Sequence, residues 1–380
     1  MSPPGLKLEA EIFELPPMLP PGRFPRLLWC AAIASALTAT PAFALDIVIN
    51  PGSALSSNPQ ALAAFNRAAV QWEALFSDPV TVTISANLIS IANAGVLGQA
   101  SSVELFDSFN NVRGLMIADA GPTEPALAFL PTAAQFSAYL PSGFSFFTSG
   151  GQPVILGSKA NFKALGYNAT ALDTLFGATD ATIEFNSNFT FDYDNSDGVT
   201  SGTVDFESVA AHEIGHALGF LSTVDQVDAL VGNGQTAAIA PFTLDLFRFR
   251  NLDQPTSLAD FTLTPRSLLP QDASVWSDFF ADYNFSTGVA VGDGRQASHW
   301  KDNVLTGSYI GLMDPTLSSG VIAPITQADI RALGYIGWNV VPEASTATAA
   351  ALGALSTLGI LAVRRRSKGS SQSPGSSFQN

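Results

Sequence analysis

Val209-Ala210-Ala211-His212-Glu213-Ile214-Gly215-His216-Ala217-Leu218-Gly219-Phe220 is the stretch around which the rest of the chain is organised. Positions i and i+4 of a helix share a face, so His212 and His216 can close on one metal ion. Glu213 beside them is placed to take a proton from a water activated at that metal. The intervening Val209, Ala210, Ile214, Ala217 and Leu218 are apolar and suit a helix buried in a core. Gly219 offers the φ > 0 geometry that ends a helix and turns the chain. Asp205 fits upstream as the N-cap, with Glu207 in the first turn. The competing reading is a structural pair of buried histidines, since a five-letter pattern also arises by chance.

A catalytic zinc keeps three protein ligands and one open position. The chain has three histidines, and the third lies in Ala297-Ser298-His299-Trp300. His299 is therefore the imidazole left to complete the set, with Asp225 as the hard-oxygen alternative. No glutamate occurs between Glu213 and Glu343, which excludes a downstream glutamate ligand short of the tail.

Hydrophobic residues make up 47% of the 380-residue chain and charged ones 13%, a composition that packs a core rather than staying disordered. That length holds one large domain or two modest ones. A formal net charge of -15 leaves no basic surface to neutralise phosphates, which argues against a nucleic-acid partner. Residues 1–44 read as an export signal peptide. Arg23 and Arg26 precede the apolar run 27–37, and Ala42-Phe43-Ala44 gives the small-x-small pattern of a cleavage site. The single cysteine, Cys30, lies inside that run, so the exported part can form no disulfide.

Asn58-Pro59 followed by Leu62, Phe65, Ala69, Trp72 and Leu75 predicts a helix with one apolar face. Residues 80–84 alternate as a strand does, and 181–185 and 189–191 also read as strand. Residues 90–180 read only as helices and loops. The segment from 220 to about 295 reads as strands and loops, among them 242–249, and a last helix is predicted over 326–333, ending at Gly334. Asp192, Asp194 and Asp197, with Asn195 and Gly198, resemble a loop that gathers hard oxygens around Ca2+, one residue out of the EF-hand spacing. A solvated turn is the competing reading. Residues 344–363 form an apolar run of membrane-spanning length before Arg364-Arg365-Arg366, which predicts a transmembrane helix with a cytoplasmic tail.

His212-Glu213-Ile214-Gly215-His216-Ala217-Leu218-Gly219-Phe220, a long insert, then Ser298-His299-Trp300 and Leu312-Met313 together resemble the leishmanolysin branch of the metzincin zinc peptidases. The likeness covers roughly residues 205–338. It implies an α+β, metzincin-like zinc peptidase whose N-terminal subdomain (45–221) and C-terminal subdomain (222–340) flank an active-site cleft. It also implies Zn2+ on His212, His216 and His299, Glu213 as general base, Gly219 as the turn after the helix, and Met313 in a turn beneath the metal. The implied substrate is a protein or peptide. The chain departs from the commoner metzincin pattern at Ser222, where that pattern has its third His, and lacks the cysteines of eukaryotic members.

The tail, 341–380, resembles a bacterial PEP-CTERM sorting signal: Val341-Pro342-Glu343, an apolar span and a basic cluster, with Ala344 where Pro is usual. That resemblance implies an exosortase-type partner and a product secreted from, or displayed on, a bacterial envelope. The chain would be tied to the membrane through the span before processing. The alternative function is a catalytically inactive surface or matrix protein that keeps the fold. The intact Glu213 argues against it, since a scaffold needs no base.

Overall fold

Alternation builds the first layer. Along Thr81–Ile89, Val82, Ile84 and Ala86 are buried while Thr81, Thr83 and Ser85 are not, so one face of this strand meets the core. The structure, a computed structural model, describes residues 44–93 and 95–342. Residues 1–43 of the leader, and the tail from 343 with its apolar run, lie outside the described residues. Among the described residues no helix is long and apolar enough to cross a membrane.

Four strands form the main sheet: β1 (Asp46–Pro51), β2 (Thr81–Ile89), β3 (Gly98–Ser102) and β4 (Ala181–Asn186), in the order β1-β2-β4-β3. β1, β2 and β4 run parallel; β3 lies antiparallel to β4 at the edge, with Gly98 opposite Phe185. Parallel strands need a crossover, and α1 (Pro59–Glu73) supplies it between β1 and β2. The Asn58 side chain caps α1 by accepting from Ala61 N at 3.1 Å, and the helix buries Phe65, Ala69 and Trp72 as its periodicity predicts. A buried carboxylate joins the strand ends. Asp180 Oδ2 accepts from Thr83 N (2.8 Å) and lies 3.0 Å from Lys163 Nζ, while Asp180 O takes Val103 N at 2.8 Å. The start of β4 is thereby tied to β2 and to the end of β3.

α2 (Phe206–Leu218) packs against α1, β3 and β4 and is almost wholly buried. After it come α3 (Val224–Gly232), a short 3-10 turn at Thr243–Phe247, and an antiparallel sheet of β5 (Arg248–Arg250), β6 (Ser274–Ser277) and β7 (Asp282–Asn284). α4 (Gln327–Tyr335) follows. One hydrophobic cluster runs from Leu45 to Trp338 through both halves, so the architecture is mixed α+β around a shared core.

Several local expectations change. Residues 90–180 contain β3, and the stretch after Phe220 contains α3. Residues 242–249 make a 3-10 turn before β5, because the Asp245 carboxylate gathers Phe242 N (3.0 Å) and Thr223 N (2.9 Å) into a tight loop. Gly334 lies inside α4 and does not end it. A Cβ there would stand 3.0 Å from Val340 Cγ2, and the buried Tyr335 ring packs on Phe247 and Trp276. The chain turns instead at Gly337, φ 118°.

Candidate metal centre

α2 begins where the sequence signals it. The Asp205 side chain accepts from Ser208 N at 3.0 Å, and the helix closes on Gly219 in the left-handed region, φ 117°. One face of the helix carries His212 and His216, and His299 meets them from the insert. Their Nε2 atoms form a near-equilateral triangle with sides of 3.1, 3.1 and 3.2 Å. Each Nδ1 faces a backbone carbonyl: His212 that of Leu312 (2.8 Å), His216 that of Phe220 (2.8 Å) and His299 that of Gln296 (3.2 Å). A carbonyl has no proton to give, so each Nδ1 carries the hydrogen and each Nε2 is left with a lone pair.

Three lone pairs converging inside a protein repel one another unless a cation sits among them. Tetrahedral zinc with bonds of about 2.0–2.1 Å needs ligand nitrogens about 3.3–3.4 Å apart. The triangle falls within a few tenths of an ångström of that spacing, and three neutral imidazoles are an ordinary zinc donor set, so these residues fit the ion. Protons do not take its place, because desolvation, with the neighbouring imidazoles second, pulls all three histidines down to about 3. Among the described residues no other group of three His, Cys, Asp or Glu brings its ligand atoms within 4.8 Å.

Glu213 is buried, and that burial pushes its carboxyl up to about 8. β3 sets its outer limit: a Cβ on Gly98 would come within 2.9 Å of Glu213 Oε1, so a glycine lets the strand lie directly on the carboxylate. β3 is also bound to α2 through Ser102 Oγ, which donates to His216 O at 3.3 Å. Leu97 O and Val103 N bond to β4 and its approach, so the odd-numbered residues of this stretch pair inward. The N–H and C=O groups of Gly98, Ala100 and Ser102 therefore point outward, and among the described residues no strand pairs with that side.

Met313 is fully buried against the helix that carries His212 and His216. A Cβ on Gly215, between the two helical histidines, would run into its Sδ. The turn that carries Met313 is held by the Asp329 carboxylate of α4, which accepts from Leu312 N (2.8 Å), Met313 N (3.2 Å), Thr326 N (2.7 Å) and Trp300 Nε1 (2.8 Å). One side chain thus caps α4, fixes the carbonyl that orients His212, and anchors the residue after His299. Gly215→Ala should lower stability by about 1–3 kcal/mol through overpacking, less the ~1 kcal/mol that Ala gains over Gly in a helix. It should also weaken metal uptake by displacing the Leu312–Met313 turn. Thermal melts and zinc titration check this, and a variant matching wild type in both would show that the close packing is not required.

The other sequence candidates stand elsewhere. Asp225 is not one of the three residues that converge, and it accepts from Ala297 N (2.6 Å) and Ser298 N (3.0 Å). Tyr309 hydroxyl donates to Pro324 O at 2.9 Å. Asp192, Asp194 and Asp197 are not gathered around a common centre. Asp192 accepts from Asp194 N and Thr200 N, and Asp194 from Ser196 N, so these two carboxylates close local turns, and those bonds hold both below the usual carboxylate range. Sequence reasoning missed β3, the second task of Asp329 and the support from Asp225. For Asp329 a signal existed in the Thr326-to-Asp329 capping box.

Metal-free chain should lose stability as pH falls from about 6.5 towards 3. The folded imidazoles titrate near 3 and unfolded ones near 6.5, so in that window the unfolded state binds up to three more protons. Melting the chelator-treated protein at pH 7 and pH 5 tests the sign. Glu213 and Asp119, raised to about 8 and about 6, bind protons in the folded state across the same window and oppose the loss, so equal midpoints would mean that the histidine contribution does not exceed theirs.

Compared with protein-family models, with curated proteins and with solved structures, the chain matches none.

Proposed function

We propose that this chain is a zinc-dependent endopeptidase of metzincin type, exported by its leader and secreted or displayed at a bacterial envelope. The observation that carries the proposal is the convergence of three Nε2 lone pairs beside a buried glutamate. His212, His216 and His299 would hold the ion. When bound, zinc supplies a Lewis acid that acidifies water and polarises a carbonyl. Burial raises the Glu213 carboxyl in the metal-free chain, and a bound cation beside it would restore the carboxylate, which would take the proton of the attacking water and return it to the leaving amine. The outward N–H and C=O groups of β3 are complementary to an extended polypeptide, which would add as a further strand beside Glu213. This supports a peptide over a small ester as substrate.

The close approach of Met313 to Gly215 supports the metzincin reading, on which the N-terminal (45–221) and C-terminal (222–340) subdomains would flank the active-site cleft. On this proposal the tail is a PEP-CTERM-type sorting signal, recognised by an exosortase-type enzyme. Zinc analysis of the full chain, paired with casein hydrolysis, is the test. One zinc per chain with hydrolysis supports the peptidase. Bound zinc without hydrolysis of any protein favours the inactive scaffold, and no bound metal sinks the site.

A further inference from the structure

Of the three histidines only His299 comes from outside α2, so something must bring a distant segment into register. The structure shows how. Ser222, just after the helix, donates its backbone N–H to Ser298 Oγ at 2.9 Å. Ser298 Oγ donates in turn to Asp225 Oδ2. The same carboxylate accepts both backbone N–H groups that precede His299, those of Ala297 and Ser298. Arg248, buried beneath, donates to Ala297 O, and Ser286 N donates to His299 O at 3.0 Å. Ser222 Oγ closes the group on Asp245 Oδ1 at 2.6 Å.

One of these bonds reaches the imidazole itself. The Ala297 N–H and the Gln296 C=O belong to one planar peptide and point in opposite directions. When Asp225 accepts that N–H, it fixes the plane whose carbonyl accepts His299 Nδ1–H. A charged acceptor on one end of a peptide also polarises the other, making the carbonyl a better acceptor. We infer that Asp225 is a positioning residue of the metal centre. It sets the orientation and tautomer of His299 through the Gln296–Ala297 peptide, much as a carboxylate does when it touches a ligating histidine directly. The inference rests on the reading of the three histidines as metal ligands.

Asp225→Asn keeps the size of the side chain but removes its charge and one of its two acceptor oxygens. In the full chain its zinc affinity, measured by chelator competition, should fall about 10- to 100-fold. Cobalt-substituted wild type should show three exchangeable, paramagnetically shifted Nδ1–H resonances, one per histidine. The variant should shift or lose one and keep the other two. Should Asp225→Asn fail to fold, Ser298→Ala carries the test. It removes one bond to Asp225, and the same single resonance should move by less. Affinity within twofold of wild type with all resonances unmoved would overturn the inference. So would all three resonances moving together, since that reports general loosening. A wild-type chain that takes up neither zinc nor cobalt overturns the metal reading, and this inference with it, before any variant is made.

Discussion

Glu213→Gln should abolish casein hydrolysis by the full chain while zinc stays at one ion per chain. Glutamine fills the same buried volume beside Gly98 but cannot accept a proton. A positioned general base contributes roughly 10²–10⁴-fold, and here the same group must also deliver the proton to the leaving amine. Residual activity should therefore lie at or below about 1% of wild type. Metal content should hold because the Nε2 triangle is built without Glu213. A variant retaining a tenth or more of the wild-type rate would remove Glu213 from the chemistry and send the search for a base elsewhere.

His299→Ala should cost the chain its metal. A structural zinc site gains about 10–16 kcal/mol from four ligands, or roughly 3–4 kcal/mol for each, which is about 10²–10³ in affinity. Asp225, the carboxylate that the sequence offers as the alternative ligand, is not free to substitute. Asp225 spends both oxygens on the backbone ahead of His299, and its Oδ2 also takes the Ser298 hydroxyl proton. Hydrolysis should be lost in parallel, at any zinc concentration that does not refill the site. Chelator competition reads the affinity directly. Wild-type zinc binding by His299→Ala would mean that another residue completes the set, with Asp225 the first to examine.

What was legible in the sequence was local. α2 could be read because its cap, its apolar spacing and its terminal glycine lie within fifteen residues, and each acts through its immediate neighbours. His299 could be read for a different reason: the chain has no other histidine to offer. β3 could not. Gly98-Gln99-Ala100-Ser101-Ser102 has neither β-branched nor aromatic residues, and it is a strand because β4 pairs with it and α2 supports it. Asp225 showed only as a carboxylate near the helix, equally suited to bind a metal or a backbone. Its partners lie more than seventy residues away in sequence, and no periodicity reports such a contact. The acid-rich loop has the same double character, since Asp192 and Asp194 have the composition of a cation site and also close local turns.

The Nδ1 contacts have an evolutionary corollary. All three acceptors, on Leu312, Phe220 and Gln296, are main-chain oxygens. Side-chain drift at those three positions leaves the oxygens where they are, so ligand orientation there is insulated from most single-codon changes. Vulnerability moves to the residues that shape the backbone: Gly219, which allows the turn to Phe220, Asp225, which holds the Gln296–Ala297 peptide, and Asp329, which holds the Leu312–Met313 peptide through Met313 N. In a mutational scan of this centre, these three positions should be about as intolerant as the histidines, although none of them belongs to the Nε2 triangle.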